Sequence, residues 1–170
     1  NTVKELTDDV SGALTMGAST TIAEYMLPAL LRGFTLEFPD INLKLKVSNT
    51  EGIVSMIENS MIDLGVVEGP VSNKNLLVEV CRIDQLVVVV PPGHEIADRK
   101  SIPLEEVMNF PFICREEGSG TREVIMDHMV KLGIDRNNLN VSLELGSPES
   151  IKGAVEAGMG ISIASLATLE

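Results

Sequence analysis

Four times in this chain a short apolar run ends in a polar turn, and a stripe of apolar residues at helical spacing follows. The turns are Ser19–Thr21, Ser48–Thr50, Gly118–Arg122 and Ser147–Ser150. This alternation restricts the fold severely. A strand followed by a helix and a second strand closes as a right-handed crossover, which makes the two strands neighbours in a parallel sheet.

The segments can be read in order. Residues 1–12 are polar, end in Ser11-Gly12 and form the end of a linker. "ALTMGAS" (13–19) predicts a strand running into a turn. Ile22, Met26, Ala29 or Leu30 and Gly33 then recur at helical spacing, and Pro28 either kinks that helix or starts its main part. "NLKLKVS" (42–48) alternates leucine and valine with lysine, as a strand does. "SNTE" (48–51) has the spacing of a capping box, and Ile53, Met56, Ile57 and Met61 supply the helix behind it. "IDLGVVEG" (62–69) is a third strand, stopped by Gly69-Pro70.

The pattern then changes. "LLVEV" (76–80) and "QLVVVVPPGH" (85–94) are strands too close together for a crossover helix, and Pro103 opens a short helix over "PLEEVMN". The first pattern returns with a strand at "PFICR" (111–115) and a capped helix at "GSGTREVIMDHMVKLG" (118–133). A strand at "NVSLEL" (140–145), a helix at "SPESIKGAVEAG" (147–158) and a strand at "GISIAS" (160–165) complete it. The fold class is α/β, with two lobes: 13–70, and 71–165.

Composition sets limits on function. Hydrophobic residues make up 44% of the 170 residues and aromatics only 3%, so the core is aliphatic and stacking on single-stranded nucleic acid is poorly supported. A net charge of −12 repels phosphate backbones, so this segment does not itself bind DNA. Cys81 and Cys114 lie in no CxxC pair and have no histidine cluster, which argues against zinc. Two buried strand thiols are the expectation, ahead of a redox switch. No apolar run has the length of a membrane span and no signal peptide opens the chain, which favours the cytosol.

In a parallel sheet, turns that lead from strand to helix gather at the carboxyl edge, where ligands bind. Each helix start also presents free N–H groups and the positive end of a dipole. Capping explains one hydroxyl per turn. Ser19-Thr20-Thr21 and Ser48-Asn49-Thr50 offer three polar side chains each. Gly118-Ser119-Gly120-Thr121 adds backbone freedom, and Arg122 adds a fork of donors suited to carboxylate, sulfate or phosphate. The candidate ligand set is therefore Ser19, Thr20, Thr21, Ser48, Asn49, Thr50, Ser119, Gly120, Thr121 and Arg122, for a small anion. Arg122 could instead pair with Glu116, Glu117 or Glu123.

Catalytic signals are thin. "GSGT" lacks the spacing and the lysine of a P-loop, and Ser119 is outside a G-x-S-x-G setting. His94 and His128 have different surroundings and read as structural or solvated. No enzyme, metal or cofactor is expected.

The ordered pieces "SGALTMGAS", "LPALLRGFTLEFPDINLKL", "NTEGIVSMIENSMIDLGVVEG", "LVVVVPPGHEIA" and "SIKGAVEAGMGISIAS" resemble the effector-binding domain of LysR-type transcriptional regulators. "REEGSGTRE" resembles the branch with regulators of sulfur assimilation and carbon fixation. The resemblance covers nearly all of 11–170. It implies two Rossmann-like lobes with a hinge, as in type II periplasmic binding proteins, with crossings at Glu68–Ser72 and Ala164–Leu166. Residues 166–170 would then return to the first lobe, whose later elements lie beyond this chain. The family's effector site falls on Ser19, Thr21, Ser48, Asn49, Thr50, Ser119 and Thr121. The resemblance also implies a homodimer or homotetramer, and DNA binding through an N-terminal helix-turn-helix domain outside this chain. Effectors in view are sulfate, phosphate, a sugar phosphate or an O-acetylserine-like molecule. The alternative function is a periplasmic-type solute-binding protein for a small oxyanion.

Overall fold

A computed structural model describes residues 10–169. The first sheet contains β1 (Gly12–Ser19), β2 (Ile41–Ser48) and β3 (Leu64–Val66), all parallel, in the order β2-β1-β3. Helices α1 (Leu27–Glu37) and α2 (Thr50–Glu58) make the two crossovers. A π-helical turn at Ile22–Met26 precedes α1, and Pro28 lies in the first turn of α1, so the proline starts the main helix.

The later strands are β4 (Leu86–Val89), β5 (Phe112–Arg115), β6 (Val141–Leu145) and β7 (Ser162–Ser165). Strands β5 and β6 are parallel, while β4 and β7 are antiparallel. A parallel bridge between Phe112 and Ile161 places the approach to β7 beside β5. The helices here are α3 (Leu104–Val107), α4 (Gly120–Lys131) and α5 (Pro148–Glu156).

Side chains on β5 and β1 alternate between two packed faces. On β5, Phe112 and Cys114 enter a cluster with Ile125, Met126 and Met129 of α4. Ile113 faces the other way, against Ile151, Ala154 and Val155 of α5. In the first sheet Ala18 packs with Ile22 and Leu27, whereas Gly17 leaves room for Ile53 and Ile62 on the opposite side. Aliphatic burial of this kind stabilises by roughly 25 cal/mol per Å².

Three local expectations need correction. Residues 76–80 form no strand, and Leu77 and Ile83 are each 90% exposed. Among the described residues no strand lies beside this stretch, so its backbone has no ladder to join. Cys81, in the same stretch, is therefore exposed rather than buried, while Cys114 is buried in β5 as expected. The cap of α2 is Asn49, whose side chain accepts from Gly52 N at 3.0 Å, in place of a box built on Ser48. The residues assigned to the linker lie outside the described range up to position 9.

Candidate functional site

The starts of α2 and α4 meet at the junction between the two groups of strands. Gly118 has φ +82°, a left-handed conformation that suits glycine, and it turns the chain from β5 into α4. Its carbonyl accepts from Glu51 N at 3.2 Å. The amide of Asn49 donates to Glu117 O at 3.1 Å. Thr50 donates its hydroxyl to Glu68 O at 3.0 Å. Gly120 lies so close to Glu68 that any Cβ would collide with its carbonyl oxygen. A Cβ on Gly69 would in turn lie 2.8 Å from Gly120 O. Asn49 and the close packing of Gly120 on Glu68 and Thr50 thus join the two halves, while Thr50 and Gly120 also border a cavity.

A second group of hydroxyls surrounds a buried cation. Arg115 ends β5 and is only 7% exposed. It pairs with Glu116 through two bonds, Nε to Oε2 at 2.8 Å and a terminal nitrogen to Oε1 at 3.0 Å. Thr21, Thr121, Ser165 and Thr168 line the same small cleft, with Pro148 at the start of α5. Free space among them is about 10 Å³, on the scale of one water molecule. No larger ligand fits this space as it stands. Ser19, at the end of β1, is 3% exposed and its hydroxyl has no hydrogen-bond partner. A buried hydroxyl without a partner is costly, and the Tyr25 hydroxyl is in the same position.

The other polar residues have local tasks. Thr20 donates to Ser48 O at 3.4 Å. Ser119 caps α4 by accepting from Arg122 N at 3.5 Å. Ser147 caps α5 in the same way, accepting from Ser150 N at 3.2 Å. Arg122 pairs with Glu144 at 2.7 Å and donates to Arg115 O at 2.9 Å. Its partner is none of the three glutamates next to it in sequence. The cation in the cleft is Arg115, which the sequence reading passed over as a strand end. One signal marked it: a cation closing a buried strand at the carboxyl edge of a parallel sheet.

Glu68, expected only as part of a lobe crossing, is a second charged group at this cleft. It sits half-buried before Gly69, with both carboxylate oxygens 3.5 Å from the Thr121 hydroxyl. Burial pushes its carboxyl above the ordinary range, while hydrogen bonding from Thr21 and the charge of Arg115 pull it back. A larger cavity of about 370 Å³ opens at the junction of the α2 and α4 starts, where Thr50, Gly118 and Gly120 line it together with Val71 and Asn73. Its charged lining is Glu51, Glu117 and Glu123, which disfavours an anion there.

Histidine chemistry is absent from this cleft. His94 stacks edge-on against Phe110 at 5.0 Å and lies in a turn, and His128 belongs to the last turn of α4. Among the described residues no group of three or more His, Cys, Asp or Glu could hold a metal ion.

Residues 7–170 match the family model described as the LysR substrate binding domain. The chain belongs to that family. Its fold agrees: the regulatory domain of CcmR from Synechocystis PCC6803, solved in complex with 2-PG, is 36% identical with a TM-score of 0.83, covering 94% of this chain and 74% of that one. The LysR domain is also 33% identical over 168 residues to the uncharacterized HTH-type transcriptional regulator YeiE of Escherichia coli, covering 99% of this chain and 56% of YeiE. A probable RuBisCO transcriptional regulator of Cyanophora paradoxa is 34% identical over 170 residues, covering 98% of this chain and 52% of that protein. The chain thus spans about half the length of these curated relatives. Its two-lobed α/β architecture is that of type II periplasmic binding proteins, and the relatives are transcriptional regulators.

Proposed function

We propose that this domain senses a small anionic metabolite held between its two lobes, 13–70 with 166–170, and 71–165. The observation that carries this is the buried Arg115 guanidinium among the Thr21, Thr121, Ser165 and Thr168 side chains. Hydrogen bonds to a charged group contribute roughly 1.5–3 kcal/mol each, so a few hydroxyls and one cation suffice in an acidic protein. The 2-PG complex of CcmR, at 36% identity, supports an effector with a phosphate or carboxylate group. Sulfate, phosphate, a sugar phosphate and an O-acetylserine-like molecule remain the candidate classes.

A ligand shifts such a protein only by its differential affinity for two lobe arrangements. In the parent regulator that shift would alter DNA binding by a helix-turn-helix domain, in the cytoplasm, within a dimer or tetramer. Exposed Leu30 and Leu36 on α1, and Val47 on β2, offer apolar area for assembly. The names of the relatives favour this reading over a periplasmic solute binder, and the domain would perform no catalysis.

Thermal-shift screening with sulfate, phosphate, sugar phosphates, O-acetylserine and 2-phosphoglycolate tests the proposal. An effector at a hundred times its Kd should stabilise by about 2.7 kcal/mol. Failure of every anion to shift Tm would remove the reading.

A further inference from the structure

Glu68 is an acid placed where the anion site needs donors. It stands at the end of the segment leaving β3, and its main-chain carbonyl already receives the Thr50 hydroxyl at 3.0 Å. Its carboxylate reaches across to α4, where Thr121 Oγ1 is 3.5 Å from both oxygens. Arg115 of β5 attracts it and Asp84 before β4 repels it, and Arg115 is itself already paired with Glu116. The hydroxyl of Thr21 faces it from the first lobe. Thr21, Thr121 and Arg115 are thus shared between Glu68 and the small cleft.

We propose that the Glu68 carboxylate is a resident anion, occupying the hydroxyl ends of both lobes when no effector is present and competing with the effector for them. This rests on the anion-site reading above. Glu116 already holds two nitrogens of the Arg115 guanidinium, so Glu68 and an incoming oxyanion compete for the remaining donors, and the oxyanion must displace the Glu68 carboxylate or meet it protonated. Anion binding is therefore coupled to proton uptake at Glu68. The residue also selects between ligands: one that brings its own hydroxyl or ammonium donor can retain Glu68 as a partner, whereas a bare oxyanion cannot.

Titration calorimetry of the intact protein with sulfate, which does not itself titrate in this range, tests the coupling between pH 5 and 8. Wild-type affinity should fall as pH rises, and Glu68→Gln, which keeps the shape but not the charge, should bind about tenfold more tightly at pH 8 with a flat pH profile. Equal or weaker sulfate binding by Glu68→Gln, with Arg115→Ala still abolishing binding, would overturn the resident anion and leave the site standing. Sulfate affinity indifferent to both substitutions, or no binding by any variant including Glu68→Gln, would overturn both.

Discussion

The side-chain amide of Asn49 donates to the carbonyl oxygen of Glu117 at 3.1 Å, tying the start of α2 to the loop that starts α4. The same side chain caps α2 through Gly52 N at 3.0 Å. One residue therefore caps the start of a helix and joins the two lobes. Asn49→Ala should lose both and cost about 1–2 kcal/mol in urea denaturation. Asn49→Asp keeps the cap oxygen but not the donor, and should fall between wild type and alanine.

Gly120 sits against the Glu68 backbone with no room for a side chain. Gly120→Ala should destabilise by roughly 1–3 kcal/mol through overpacking. Gly133 has open space around its Cβ position, and its cost on substitution comes from its φ of +72° alone. A lower Tm for Gly120→Ala, with loss of anion binding, distinguishes disturbed lobe packing from backbone strain at Gly133.

Arg115 and Arg122 should behave differently although seven residues apart in one turn region. Arg115→Ala removes the buried cation of the cleft and should weaken anion binding tenfold or more. Arg122→Ala releases Glu144, whose side chain is 52% exposed, and should change affinity less than Arg115→Ala does. Calorimetry with sulfate or 2-phosphoglycolate measures both.

The raised pKa of Glu68 carries a sign for stability. Its stabilising contribution is complete below the ordinary carboxyl value of 4.5 and declines as pH rises through the folded-state pKa. Glu68→Gln should therefore gain stability over wild type above that window and match it below. Chemical denaturation at several pH values reads the difference.

The two thiols should separate under a thiol reagent. Cys81 is exposed and should react in the native protein. Cys114 is buried, and burial pushes its thiol above the ordinary value, so its thiolate is scarce at neutral pH. Its modification should wait for unfolding.

Most helices and strands were legible because periodicity acts within a few neighbouring residues. Leu43, Leu45 and Val47 alternate, and β2 follows. Ser119 and Ser147 stand before helices and cap them. The stretch at 76–80 misled, because alternating apolar residues become a strand only where another strand accepts their hydrogen bonds. The hydroxyl-rich turns were found, but the cation and the acid beside them were not.

Sequence alone determined the repeated strand–turn–helix order, the acidic balance and the polar helix starts, since each depends on residue type and local spacing. Tertiary structure alone decided that Arg122 pairs with Glu144 and that Arg115 enters the cleft. It also brought Glu68 to Thr121 across 53 residues. Such partners depend on strand order and lobe packing, and many arrangements of side chains satisfy the same local pattern until the sheets are assembled.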